Sequence, residues 1–224
     1  MRALMPLAAG VLALALAAAA PAVRGAGANW QDLPDGLQLE ALGESLRMNG
    51  TPMAIRAFSS RMPAEEVLRA VTASWERDPG HAAVHRSTIP NWTVLNQTVG
   101  ERHRSLQVRE RGGRTEGFVA LTSPAETREP TLALRLPPLV LPMQVVDSVD
   151  QGKVSQQVVA VSRRSVDATA SALDEALKAQ RWQRRPMKKE GKVVRLSANR
   201  GAEQFDAILS AQKSGALVMI NTIR

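Results

Sequence analysis

The sequence predicts an α+β protein made of two tandem ββαβββ units, each a helix packed on an antiparallel sheet. The order of predicted elements in the first half of the chain recurs in the second half, glycine turns occupy corresponding places, and a tryptophan ends the helix of each half. Corresponding landmarks, Gly50 with Gly152 and Trp75 with Trp182, are 102 and 107 residues apart. Recurrence of this kind is the signature of an internal repeat.

The first unit is predicted over residues 29–122. Asn49-Gly50 separates two apolar segments, which is a strong signal for a β-hairpin. A helix is expected from Pro63 to Trp75, because proline suits the first helical position and apolar residues recur on one face. Three strands follow, with Gly112-Gly113 as the turn between the last two. These strands are residues 92–97, 105–109 and 117–122.

The second unit is predicted over residues 144–224. A hairpin over residues 144–162 precedes Ser165, a good N-cap for a helix that runs from Val166 to about Trp182. Three strands with alternating apolar residues end the chain. They are Val193–Ser197, Phe205–Ala211 and Ala216–Thr222. The connection between the units, residues 123–143, is rich in proline but also in leucine. We expect it to pack against the protein, since a free linker would be polar.

The first 28 residues have the features of a secretory signal peptide. Met1-Arg2 supplies a positive charge, Ala3–Ala20 is apolar, and small residues allow cleavage after Ala22 or Ala28. We therefore expect a periplasmic or secreted mature protein without a membrane-spanning segment. The sequence has no cysteine, which excludes disulfides, thiolate catalysis and cysteine-ligated metals.

A pattern at the end of the second helix marks a resemblance to known proteins. Leu177-Lys178-Ala179-Gln180-Arg181-Trp182 resembles the Leu-x-x-x-Gly-Trp pattern of small secreted bacterial α+β modules, with Arg181 in place of glycine. Together with the Asn-Gly hairpin, it makes the chain similar to uncharacterised signal-peptide-bearing envelope proteins of proteobacteria with duplicated small modules. This resemblance implies an envelope protein that accompanies secretion or pilus machinery and carries no assigned activity.

Histidine and serine chemistry are not favoured by the sequence. His81 and His85 have the spacing of a zinc-binding helix, but the glutamate that would act as the base is missing, and His103 is the one further histidine. We predict all three to be loop residues at the surface. The Gly-x-Ser-x-Gly motif of serine hydrolases is absent as well.

Carboxylate and phosphate chemistry are not favoured either. The adjacent pairs Glu65-Glu66 and Asp174-Glu175 lie on predicted helices, where neighbours in sequence point to different faces. No phosphate-binding loop and no dinucleotide fingerprint occurs. We therefore expect no catalytic residue, no metal and no cofactor.

The net charge of +8, which falls to +6 when residues 1–28 are removed, allows an anionic partner. Arginine and lysine form two clusters, and the second surrounds a tryptophan that could stack on a ligand while guanidinium groups hold its charge. The candidate residues for an anionic ligand are Trp182, Arg184, Arg185, Lys188, Lys189, Arg102 and Arg104.

Three functional hypotheses follow. The first is a non-catalytic exported accessory protein of the cell envelope that binds another envelope protein through a sheet face or edge. The second is a binder of anionic envelope components or nucleic acid through the arginine and lysine clusters. The third is an enzyme of unrecognised type, which would need a histidine and a carboxylate in one pocket.

Overall fold

The computed structural model describes residues 30, 32–43, 45–77 and 82–224. The predicted signal peptide and His81 lie outside these residues. The strands are β1 (Gln38–Ala41), β2 (Ser45–Met48), β3 (Thr51–Ser60), β4 (His85–Ile89), β5 (Trp92–Val99), β6 (Arg102–Arg111), β7 (Arg114–Thr122), β8 (Val140–Asp150), β9 (Lys153–Ser162), β10 (Gln183–Arg184), β11 (Lys188–Glu190), β12 (Val193–Arg200), β13 (Glu203–Gln212) and β14 (Gly215–Ile223). Two α-helices, α1 (Ala64–Trp75) and α2 (Val166–Ala179), and a 3-10 turn (Pro124–Glu126) complete the described elements.

The prediction of two tandem ββαβββ units, each with its own sheet, is wrong. The protein is mostly antiparallel β-sheet, with 54% of the described residues in strands and 15% in helices. The strands of the described part form one sheet in the order β10-β12-β13-β14-β9-β8-β2-β3-β7-β6-β5-β4, with β1 beside β3 and β11 beside β12. The chain therefore builds one continuous sheet that carries two helices.

The physical reason for this merger lies at β2, the short strand in the middle of the sheet. Leu46 in β2 is opposite Met53 in β3 on one side and opposite Ser148 in β8 on the other. The hairpin turn extends the junction, because Asn49 N donates to Val145 O (2.7 Å) and Asn49 Oδ1 accepts from Val145 N (2.8 Å). An isolated hairpin would leave unpaired N–H and C=O groups along its edge. Pairing β2 with β8 satisfies both edges.

Both helices lie on the same face of the sheet. Pro52, on the face of β3 that carries buried Phe58, is opposite Arg47 of β2, which is opposite Asp147 of β8. Asp147 is in turn opposite Gln156 of β9. Directly opposed residues on neighbouring strands share a face. Gln156 lies on the same face of β9 as the buried core residues Val158 and Ala160. The face of the sheet that packs under α1 is therefore the same face that packs under α2.

The interior consists of two clusters under the two helices. The first contains the apolar face of α1 (Val67, Leu68, Val71 and Trp75) packed on Phe58, Leu95, Leu106, Val108 and Val119. The second contains Ala170, Leu173 and Leu177 of α2 packed on strands β8, β9 and β12–β14, with Trp182 and Phe205. Ser165 caps α2, accepting a hydrogen bond from Ala168 N at 3.3 Å. Removing the apolar side chains of both clusters from water is the main favourable contribution to folding.

Three strands were not predicted from the sequence. β4, β10 and β11 are short or polar, and β4 pairs only with β5 at one end of the sheet. The proline-rich connection packs against the second core through Leu134, which is almost fully buried. Its last residues begin β8, where the register shifts between Pro142 and Gln144. A proline cannot donate to a ladder, which fits its place beside this bulge.

Candidate functional site

Trp182, the centre of the predicted anionic-ligand cluster, belongs to the second core. Its side chain is 4% exposed, and its ring packs against Phe205 with centroids 5.9 Å apart. The guanidinium of Arg200 covers the ring at 4.6 Å. Helix α2 ends before Trp182, and Arg181 has a φ of 63°, the left-handed conformation in which glycine is favoured. This geometry accounts for the glycine of the Leu-x-x-x-Gly-Trp pattern at that position.

The cations predicted around Trp182 are partly neutralised within the protein. Arg184 forms an ion pair with Asp174 of α2, and Lys189 pairs with Asp167 at 2.8 Å. Arg185 and Lys188 are exposed. A shallow hollow of 470 Å³ lies between the end of α2 and Met187, lined by Trp182, Arg184 and Arg185. The indole Nε1 of Trp182 is buried and has no hydrogen-bond partner among the described residues.

Arg104, from the other predicted cluster, is an interior residue with a dense set of contacts. It is 9% exposed and lies over the ring of Trp75 at 4.6 Å. It donates to Gln97 Oε1 (2.6 Å), to Asp32 Oδ2 (3.1 Å) and to the carbonyl of Trp75 (3.1 Å). Arg102, at the start of β6, is exposed. Arg104 therefore fastens the end of α1 to the sheet.

The same stacking occurs at every tryptophan of the chain. Arg56 lies over Trp30 at 5.3 Å and Arg109 over Trp92 at 4.5 Å, in addition to the two pairs above. A guanidinium over an aromatic face is attracted by the ring quadrupole. Four of the arginines that make the chain basic are thus used to cover tryptophan rings.

Two of the three histidines line one hollow of 330 Å³ at the end of β5 and β6. His85 and His103 border it with Asn96, Thr98 and Ser105. His103 Nδ1 is 3.0 Å from the hydroxyl of Thr98. The described residues that line this hollow include no carboxylate. Nor does the described part contain a group of three histidine, aspartate or glutamate side chains placed to hold a metal ion.

In each of the two predicted carboxylate pairs, one carboxylate forms an ion pair with an arginine. Glu65 accepts two hydrogen bonds from Arg86 of β4, at 2.5 and 3.0 Å. The hydrogen bond from Arg86 lowers the pKa of Glu65 below its ordinary value, and the same contact raises the pKa of Arg86. This exposed pair attaches α1 to the edge strand and is kept at any pH above the ordinary pKa of a glutamate.

The face opposite the helices, which we call the open face, is covered by no helix of the described chain. In the first half its side chains shield one another. Trp92 stacks against Phe118 with centroids 5.7 Å apart, and Arg109 covers Trp92 while pairing with Glu116 at 2.5 Å. Trp92 and Val94 are buried as a result. This half of the open face has its own small, closed cluster.

In the second half the open face carries exposed apolar side chains that form a patch. Ile208 is opposite Met219, which is opposite Val159. In the adjacent row Leu217 is opposite Val161, which is opposite Leu141. These six residues are the apolar patch, and three of them are strongly exposed: Leu141 at 56%, Ile208 and Met219 at 39% each.

Exposed cations lie at one end of the apolar patch. We call Arg163, Arg164, Lys192 and Lys213 the basic rim. Arg163 and Arg164 directly follow β9, Lys192 precedes β12, and Lys213 is in the turn between β13 and β14. Within the described part of the chain, these four side chains form no ion pair. The rim therefore carries positive charge that no described carboxylate neutralises in an ion pair.

The apolar patch was not predicted from the sequence, although a signal for it exists there. Val158–Val161 and Leu217–Ile220 are continuous apolar runs without the alternation of a half-buried strand. Such runs indicate strands that are apolar on both faces. With α2 on one face, the second set of apolar side chains must face outward or contact another molecule.

Comparison with protein-family models, curated proteins and solved structures finds no match to this chain. Neither of the two α-helices that the structure describes is long and apolar enough to cross a membrane.

Proposed function

We propose that the protein is a non-catalytic, exported accessory protein of the cell envelope that binds another envelope component through the apolar patch. One observation carries the proposal. The large hydrophobic side chains that are strongly exposed in the described chain all lie between residues 139 and 223. They are Leu139, Leu141, Met143, Met187, Ile208, Met219 and Ile223. Three of these belong to the patch, and Leu139 and Met143 flank Leu141 in sequence.

Contiguous exposure of this kind is unfavourable in a free protein. Covering apolar surface is worth about 25 cal/mol per Å² removed from water. Surface hydrophobic residues are usually scattered singly, and the largest contiguous patch on a protein is often a functional site. Here the first half of the same face buries its aromatic residues among themselves, whereas the second half leaves its patch to the solvent.

The location in the envelope rests on the predicted signal peptide. A positively charged start, an apolar segment and small residues before the cleavage positions support export. The two other hypotheses receive less support from the geometry. Arg184 and Lys189 are paired with carboxylates of α2, Arg104 is an interior residue, and the hollow beside His85 and His103 has no carboxylate in its described lining.

Sedimentation with an isolated envelope fraction tests the proposal. Replacing Ile208 and Met219 by serine removes two apolar side chains from the patch, and we expect retention to fall roughly tenfold or more, since each contributes about 1 kcal/mol when covered. The control replaces Met187 by serine. Met187 is 43% exposed but lies beside Trp182 and the end of α2, outside the patch. Equal retention of the double variant and the control would refute the proposal.

A further inference from the structure

We infer that the envelope component bound by the apolar patch is the surface of an anionic lipid bilayer. This inference rests on the proposed function and adds the chemistry of the partner. It follows from two features at one end of the second half. Apolar side chains project from the open face, and beside them lie cations that pair with no carboxylate of the described residues.

The basic rim lies next to the patch because the strand ends meet there. Leu217 of the patch is opposite Ser210, which is opposite Val193, the residue that follows Lys192. The turn that contains Lys213 is also close to the end of β9. A Cβ added to Gly215 would lie 2.9 Å from the Cα of Arg163. The four cations therefore share one end of the sheet with Leu217, Val161 and Leu141.

The carboxylates nearest the rim in sequence already interact with other cations. Asp167, in the first turn of α2, pairs with Lys189. Glu190, which precedes the turn with Lys192, interacts with Arg195 at 3.7 Å. Positive charge at the rim is therefore not compensated by the neighbouring described side chains, and it would attract an anionic surface.

The size of the patch favours a lipid surface over a protein. Its residues occupy two rows on four neighbouring strands, which gives an area on the order of 200 to 300 Å² from the usual strand and residue spacings. A specific protein interface normally needs about 800 Å² on each partner. A bilayer requires no matching shape. It accepts apolar side chains at the headgroup boundary and attracts lysine and arginine through its anionic lipids.

Peripheral binding to a bilayer becomes stable when an apolar and an electrostatic signal act together. The patch and Leu139 and Met143 beside it supply the first, and the rim supplies the second. In this arrangement the second half of the open face lies on the bilayer, and helices α1 and α2 point away from it.

Co-sedimentation of the mature protein with protein-free vesicles tests the inference. We expect binding to vesicles of equal parts phosphatidylglycerol and phosphatidylcholine, and at least tenfold weaker binding to pure phosphatidylcholine. Replacing Lys192 and Lys213 by alanine should weaken binding to the anionic vesicles roughly tenfold or more, since each cation near such a surface contributes measurably. The matched control, Lys153→Ala with Lys178→Ala, removes the same charge elsewhere and should bind like the unmodified protein.

The outcomes separate the inference from the proposed function. Loss of vesicle binding in the Ile208→Ser and Met219→Ser double variant, with retention in the Met187→Ser control, supports the inference. Failure to bind anionic vesicles, with patch-dependent retention on the envelope fraction, overturns the inference and points to a protein partner. Equal weakening by the two lysine double variants overturns it as well, because attraction would then follow net charge alone.

Discussion

The Gly50→Ala variant is expected to lose about 3 kcal/mol or more of its free energy of unfolding. Gly50 has a φ of 79°, a conformation that costs other residues roughly 1–2 kcal/mol. A Cβ at this position would also lie 1.6 Å from the carbonyl oxygen of Arg128, which belongs to the connection between the two halves. Relieving such a clash by moving backbone typically costs a further ~1–3 kcal/mol.

The control for this variant is Gly152→Ala. Gly152 has a φ of 74°, but a Cβ there would meet no described atom within 4 Å. Its replacement should therefore cost only about 1–2 kcal/mol, the conformational part. Urea denaturation of the two variants measures the difference. Equal losses would show that the connection does not lie against the hairpin turn at the junction of the sheet.

Arg104→Ala is expected to lower the free energy of unfolding by about 3 kcal/mol or more. Hydrogen bonds to charged groups contribute roughly 1.5–3 kcal/mol, and Arg104 donates to a side chain of β5, to Asp32 and to the last carbonyl of α1. Stacking on Trp75 is lost as well. Removal leaves a void and takes the Arg104 donor away from the buried Gln97 Oε1, whereas the Trp75 carbonyl keeps Gln97 Nε2 as a donor.

Arg114→Ala is the matched surface change. Arg114 is exposed at the start of β7, and substitutions of such residues usually alter stability by less than about 0.5 kcal/mol. Thermal and urea unfolding compare the two variants. A role for Arg104 in ligand binding alone predicts no difference between them, whereas a role in holding α1 on the sheet predicts a large one.

The parts of the fold that could be predicted from the sequence are those set by local chemistry. The helix predicted from Pro63 to Trp75 spans Ala64–Trp75, because the period of its apolar residues and the proline at its start are local signals. The Asn49-Gly50 hairpin and the Ser165 cap are local in the same sense. Pairing of β2 with β8 joins residues about a hundred positions apart, and no local pattern specifies which edges meet.

The functional surface was harder to predict for a related reason. Arginine and lysine near Trp182 form a conspicuous cluster in sequence, yet the fold brings Asp167 and Asp174 of α2 to two of them. The apolar patch, in contrast, draws its residues from four strands, and its exposure depends on which face α2 covers. The role of the seven predicted residues in binding an anionic ligand stays a prediction, and the four rim cations are a different set.

Methionine oxidation in the presence and absence of the envelope fraction tests the central claim most directly. Mild peroxide treatment converts accessible methionine to its sulfoxide, which mass spectrometry locates. Met143 and Met219 are exposed at the patch, and Met187 is exposed beside Trp182. The account predicts that all three oxidise in the free protein and that the envelope fraction slows oxidation of Met143 and Met219 but not of Met187. Protection of Met187 alone, or a Met219 that resists oxidation in the free protein, would contradict it.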